Sequence, residues 1–184
     1  MTKNLTQLSK FLALILRHKA GNFDIAIDHE GFTEIESVWY VISNEFGARY
    51  TIEDLHEVVV GDKYGKKRYE IVDTRIRAMF GHSDVGEILY PTVVPPAFLY
   101  HGTSVEAIES IKTSGLLSQS RQYVHLTTNH ENATRVANRH SKEIVVLEVS
   151  AKDAYENGVV FHQPEAEHFL CKSVPSRFII FPHD

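Results

Sequence analysis

The chain has 184 residues, 43% hydrophobic and 23% charged, the composition of an ordinary soluble globular protein with room for one domain or two small ones. A net charge of −5 with eleven histidines excludes a general basic field, so any contact with phosphate or nucleic acid must come from a local cluster of arginines. The single cysteine, Cys171, excludes an internal disulfide and a cysteine-built metal site, and the longest apolar run, Phe11 to Leu16, supports neither a signal peptide nor a membrane span. A cytoplasmic location is expected.

Leu5, Leu8, Leu12 and Ile15 recur at helical spacing ahead of Gly21, which predicts an amphipathic helix from residue 5 to about 19 with Arg17 and His18 in its last turn. The helix macrodipole alone would favour cations there. Asp28 to Gly31 reads as a turn, and Thr33 with Glu36 has the pattern of a capping box opening a second helix through Val38, Trp39, Val41 and Ile42. Thr51 opens a third, short helix. After Gly61 and Gly65 the period changes to two, and Asp73-Thr74 separates Arg68 to Val72 from Arg75 to Ala78 as the two strands of a ribbon. Three helices followed by a ribbon describe a winged-helix-like lobe over residues 1–90.

Pro91 and the Pro95-Pro96 pair predict a linker over residues 91–96. The second lobe, residues 97–184, alternates short strands and helices: a strand over 98–100, the turn His101-Gly102-Thr103, a helix over 105–114 capped by Ser104 and ended by Gly115, a strand over 123–126, and a helix over 130–140. A buried strand over 144–149 and closing strands over 159–161 and 178–181 complete it. No internal repeat or low-complexity segment interrupts this α+β pattern of two lobes.

Chemistry-bearing residues fall into two sets. His101, Gly102 and Thr103 are a plausible grip for a nicotinamide nucleotide, since a glycine lets a backbone approach a flat ring while His and Thr donate and accept from the side. Arg17, His18, Arg68 and Arg139 are suited to a phosphate, because the guanidinium fork donates two parallel hydrogen bonds and each charge-assisted bond contributes roughly 1.5–3 kcal/mol. Arg139 stands four residues after Arg135 on a predicted helix, a like-charge spacing that a helix does not favour by itself. Arg68 ends a basic run with Lys66 and Lys67, which a solvated turn also explains. No His-Glu-x-x-His occurs, and His101 and His125 have no acidic partner at a ligand spacing, so no metal is expected. Glu165-Ala166-Glu167 is similar to the paired glutamates of arginine-directed ADP-ribosyltransferases, and a short acidic loop explains it equally well. Gly81-His82-Ser83 reads as an ordinary turn, with His82 exposed.

Taken in order, Leu8-Ser9-Lys10-Phe11-Leu12, Leu16-Arg17-His18-Lys19, Gly31-Phe32, Lys67-Arg68-Tyr69, Ile76-Arg77-Ala78 and Gly81-His82-Ser83 resemble the amino-terminal lobe of the RNA 2′-phosphotransferases of tRNA splicing. Leu99-Tyr100-His101-Gly102-Thr103, Tyr123-Val124-His125-Leu126 and Arg139-His140 resemble their carboxy-terminal lobe, which has an ADP-ribosyltransferase-like fold. The resemblance implies an enzyme that consumes NAD to remove an internal RNA 2′-monophosphate, releasing nicotinamide and ADP-ribose 1″,2″-cyclic phosphate. It implies that Arg17, His18, Arg68 and Arg139 hold the transferred phosphate. By the same resemblance His101, Gly102, Thr103 and His125 line the NAD site, and Arg77, His82 and Ser83 contact the RNA. The expected partners are NAD and an RNA carrying a 2′-phosphate, without membrane or metal, and the expected state is a monomer. Other readings of the same features are ADP-ribosylation of a terminal phosphate or a protein, and a winged-helix module that only binds nucleic acid. Two positions depart from the family pattern: Phe80 where Gln often precedes Gly-His-Ser, and Ala166-Glu167-His168-Phe169-Leu170 where Asn-Gly-Val-Trp-Leu is frequent.

Overall fold

The computed structural model describes residues 4–61, 67–83, 85–139 and 141–182, and the chain divides into two compact units, Met1–Leu89 and Tyr90–Asp184. Lys66, Gly65 and His140, which entered the sequence reading, lie outside the described residues. None of the described helices is long and apolar enough to cross a membrane.

In the first unit, helix α1 (Leu5–Ala13) is capped by the Asn4 side chain, which accepts from the Gln7 amide at 3.3 Å. The helical path does not simply run on to residue 19. Residues Leu14–His18 form a π turn, closed by the Lys19 amide donating to the Leu14 carbonyl at 2.9 Å. The wider turn buries the adjacent Ile15 and Leu16 together and leaves Arg17 and His18 half-buried at its end.

Strand β1 (Phe32–Glu34) leads directly into helix α2 (Ile35–Phe46). The expected capping box at Thr33 and Glu36 is not formed, because Thr33 is a buried strand residue opposite Ile76 and Glu34 occupies the cap position without a side-chain bond. Thr51 does open helix α3 (Ile52–Val60) with a reciprocal box: its hydroxyl accepts from the Asp54 amide and Asp54 accepts from the Thr51 amide. Strands β2 (Tyr69–Val72) and β3 (Arg75–Ala78) form the expected hairpin, with Asp73 at φ 54° in its two-residue turn. β1 adds to β3 on the other side, so the ribbon is a three-stranded sheet of order β1-β3-β2. Leu8, Leu12, Ile15, Leu16, Val38, Ile42, Leu55, Tyr69 and Ile76 make the core between helices and sheet.

The second unit is built on an antiparallel seven-stranded sheet. Residues 91–96, expected as a linker, include the edge strand β4 (Thr92–Val93). β5 (Phe98–Ser104) is followed by α4 (Ile108–Ser114), β6 (Leu116–Leu117), β7 (Val124–Thr127), α5 (His130–Ala137) and β8 (Ile144–Ser150). Then come α6 (Ala151–Glu156), β9 (Phe161–Glu165), β10 (His168–Cys171), β11 (Ser173–Val174) and β12 (Ile179–Ile180). The order across the large sheet is β12-β8-β5-β7-β10-β9-β4, and β6 pairs separately with β11. Leu99, Val124, Leu126, Leu147, Val149, Phe161, Phe169 and Cys171 bury one face of this sheet. Helices and antiparallel strands thus mix in both units, as the α+β reading expects.

Candidate functional site

Five of the six site residues expected in the first unit converge on the end of the π turn. The Arg17 guanidinium donates from Nη2 to the Arg68 carbonyl at 3.3 Å, the same oxygen that accepts the Met79 amide at 3.0 Å. Its Cζ lies 5.6 Å from the ring centroids of both Tyr69 and Phe80, so two aromatic faces hold the cation in place. Phe80, a departure from the family pattern, is therefore part of the support of Arg17. Gly81, at φ 90°, reverses the chain after Phe80. The Ser83 amide consequently returns to the Arg17 carbonyl at 3.0 Å, and Ser83 Oγ meets Nδ1 of His18 at 2.8 Å. Arg68 reaches back to α1, donating from Nη1 to Ser9 Oγ at 3.4 Å, while the neighbouring Tyr69 hydroxyl donates to the Ser9 carbonyl at 2.6 Å.

Arg77, the sixth, is held differently. Its Nε donates to Glu70 at 2.8 Å, its Nη1 donates to the Glu30 carbonyl at 3.1 Å, and its Cζ stacks 4.4 Å from the Phe32 ring. Those contacts fit a residue that holds the sheet and the Asp28–Gly31 turn together. They make Arg77 a weaker candidate for an RNA contact than Arg17 or Arg68.

His82 is not the exposed turn residue that the sequence suggests. It is 3% exposed, and burial, reinforced by Arg17, His18 and Arg77, pulls its pKa from 6.5 down to about 4. The imidazole is neutral at physiological pH, so it adds no repulsion beside the Arg17 and Arg77 guanidiniums. Because the folded chain releases this proton more readily than the unfolded chain, stability is full above pH 6.5 and is lost as pH falls toward 4. The shift corresponds to about 3 kcal/mol. We expect chemical unfolding at pH 4 and at pH 7 to differ by less in His82→Gln than in the parent, by about that amount. An identical pH dependence in the two proteins would contradict it.

In the second unit, His101-Gly102-Thr103 is not a turn ending a strand. The three residues continue β5, paired with Leu147, Val146 and Val145 of β8. The reason for the misreading is Gly102. A Cβ built on it would lie 2.1 Å from the Ala133 carbonyl oxygen and 3.0 Å from Ala137 Cβ, so the glycine lets α5 press against the strand. The glycine therefore serves helix packing first. His101 and Thr103, two residues apart, share the opposite face.

β5 and β7 are laddered at a single pair, Tyr100 with Thr127, whereas β5 and β8 run together over seven pairs. Next to that pair the His101 side chain takes up the contact, with Nδ1 2.9 Å from the His125 carbonyl. A carbonyl only accepts, so Nδ1 carries the proton and Nε2 is left with its lone pair. Burial lowers the His101 pKa, opposed by the His125 carbonyl and assisted by Arg121, which favours this neutral tautomer. His125 itself projects from the other face of the sheet, where Nδ1 lies 2.8 Å from Nε2 of His168. Arg139 does not lie on a helix: α5 ends at Ala137, and the Arg139 amide donates to the Val136 carbonyl at 3.2 Å in the turn that follows, with the side chain exposed.

Glu165-Ala166-Glu167 forms the tip of the β9–β10 hairpin. The Glu167 carboxylate accepts from Asn132 Nδ2 at 2.7 Å and its carbonyl accepts from the Thr128 amide at 3.1 Å, which fastens the tip to the start of α5. Ser9, Arg121 and His168 were missed as supporting residues. Ser9 and Arg121 stand within or beside the quoted motifs, and His168 stands in the departing segment, so the signals were present without a chemical reason to single them out. No group of three or more metal-ligating side chains occurs among the described residues.

Residues 3–173 match the family model described as RNA 2′-phosphotransferase, Tpt1 / KptA family. A protein of Pectobacterium atrosepticum named as a probable RNA 2′-phosphotransferase is 40% identical over 97% of this chain and 99% of its own length. Proteins with the same name from Bacillus thuringiensis and Fusobacterium nucleatum are each 37% identical, covering 95% and 97% of this chain and 94% and 99% of their own lengths. Matches of this extent place the chain in a class of transferases. It belongs to the RNA 2′-phosphotransferase family.

Proposed function

We propose that the protein removes an internal 2′-monophosphate from RNA, with NAD consumed as the second substrate. The observation that carries this reading is the convergence of Arg17, His18, Arg68 and Ser83 at the π turn, in a chain matching the family from end to end. An amino-terminal winged-helix-like unit and a carboxy-terminal ADP-ribosyltransferase-like unit are the arrangement this reading carries with it.

An RNA 2′-phosphate is a dianion and already nucleophilic, so its attack on C1″ of the nicotinamide ribose needs no carboxylate base; the glycosidic C–N bond breaks and nicotinamide leaves. This fits a chain with histidines at positions 101 and 125 and with the Glu167 carboxylate engaged by Asn132 Nδ2. The lone pair on His101 Nε2 suits a ribose hydroxyl, and Thr103 on the same face adds a donor and an acceptor. In the second step the 2″-hydroxyl attacks phosphorus and the bond to the RNA 2′-oxygen breaks. Negative charge accumulates on the equatorial oxygens, where the guanidiniums of Arg17, Arg68 and Arg139 stabilise it. His18, oriented by Ser83, supplies the proton that the departing 2′-oxygen requires.

The direct test incubates the protein with NAD and either an RNA carrying one internal 2′-phosphate or the same RNA without it. Nicotinamide release only with the phosphorylated RNA is expected. Equal release from both, or none from either, would contradict the assignment.

A further inference from the structure

We propose that His168 is a positioning residue for His125, fixing the orientation and tautomer of that imidazole; the role rests on the NAD-dependent reading above. β7 and β10 are antiparallel neighbours in which His168 faces Thr127 and Leu170 faces His125. Residues directly opposite share a face of a sheet, so His125 and His168 are diagonal neighbours on one face. Their rings meet edge to face at 5.0 Å between centroids, and the nitrogens Nδ1 of His125 and Nε2 of His168 are 2.8 Å apart.

A neutral imidazole has one N–H and one lone pair. A bond between two of them therefore demands opposite roles at the facing nitrogens. Whichever ring donates, the roles of all four nitrogens follow, and His125 presents Nε2 from its opposite edge in a defined state. Rotating the His125 ring by half a turn would put a carbon where Nδ1 now stands and lose the bond. The partner strand is itself held firmly. Phe169 and Cys171 on either side of Leu170 are buried, and β10 is paired with β7 on one edge and β9 on the other. His125 is thus held twice, at its carbonyl by His101 and at its ring by His168.

The family often has Val in place of His168, and valine cannot make this bond. The bond therefore depends on the histidine that this chain has at position 168. A Glu at position 167, fastened to Asn132, fixes the hairpin tip next to it.

The test uses the full chain with nitrogen-labelled histidines. A scalar coupling across the hydrogen bond between His125 Nδ1 and His168 Nε2 is expected in the parent and absent from His168→Val. In the reaction with 2′-phosphorylated RNA, His168→Val should raise KM for NAD roughly threefold to tenfold, the loss of one neutral hydrogen bond, and change kcat by less than about twofold. His168→Gln, whose amide can meet the same nitrogen, should recover most of the loss. NAD turnover without the coupling overturns the proposal alone, as does an unchanged KM in His168→Val or a glutamine variant no better than the valine one. Coupling without any NAD turnover overturns the functional reading and the role together.

Discussion

Gly102→Ala is expected to lower the melting temperature by more than about 10 °C. The added methyl would sit 2.1 Å from the carbonyl oxygen of Ala133, 2.8 Å from its carbonyl carbon and 3.0 Å from Ala137 Cβ. Two of those atoms are helix backbone, so no side-chain rotation relieves the clash. Relief requires α5 to lift from the sheet or β5 to bend, and both are tied. Asn129 caps the helix, accepting from the Asn132 amide at 3.1 Å. Thr128 just before it is bonded to Glu167, and β5 is laddered to β8 along its whole length. Overpacking of a well-filled core costs about 1–3 kcal/mol and more when backbone must move. For a unit of about 100 residues, 3 kcal/mol corresponds to roughly 12–24 °C. Thermal unfolding followed by circular dichroism reads this directly, and a shift below about 2 °C would show that α5 is not held as described.

Arg139→Ala is expected to separate the two chemical steps. Arg139 follows the end of α5 with an exposed side chain, and among the described residues it forms no salt bridge. Its charge is thus available to an anion. In the first step the phosphate already carries its full charge and the barrier lies mainly at the departing nicotinamide. In the second step of the proposed reaction, charge concentrates on a five-coordinate phosphorus, where a cationic donor matters most. Loss of one such donor costs about a hundredfold to a thousandfold in rate. The expected result is near-normal nicotinamide release in a single turnover with accumulation of 2′-phospho-ADP-ribosylated RNA. Nicotinamide release slowed as much as product formation would place Arg139 in the first step instead.

The parts of the fold legible in the sequence were those governed by local rules. The leucine spacing of α1, the start of α3 at Thr51 and the Asp73-Thr74 hairpin each have a sufficient local cause, and each is found. The parts that were not legible depend on tertiary context. Thr33 satisfies a capping pattern and a strand equally well, and pairing with Ile76 decides it. Gly102 has the look of a turn until α5 is laid against it. The π turn leaves no mark in the pattern of leucines, yet it sets where Arg17 and His18 emerge. His82 reads as exposed because Gly-His-Ser is polar, and its burial against Gly31, whose added Cβ would lie 3.5 Å from His82 Nε2, is a long-range contact.

The candidate site divides in the same way. Residue identity and order carried Arg17, His18, Arg68, His101 and His125 into view. The partners that orient them came only with the structure: Ser83 at His18, Phe80 and Tyr69 at Arg17, and His168 at His125. Two of those partners, Phe80 and His168, are among the positions at which this chain departs from the family pattern. Both departures therefore bear on side chains at the heart of the proposed chemistry.

The central claim is that the RNA phosphate is transferred to the ribose of NAD rather than released by water. An RNA with a radiolabelled internal 2′-phosphate, incubated with the protein and NAD, decides it. The account predicts that the label leaves the RNA and appears in ADP-ribose 1″,2″-cyclic phosphate, one equivalent per nicotinamide formed. Label recovered as inorganic phosphate, or lost from the RNA without NAD, would contradict it.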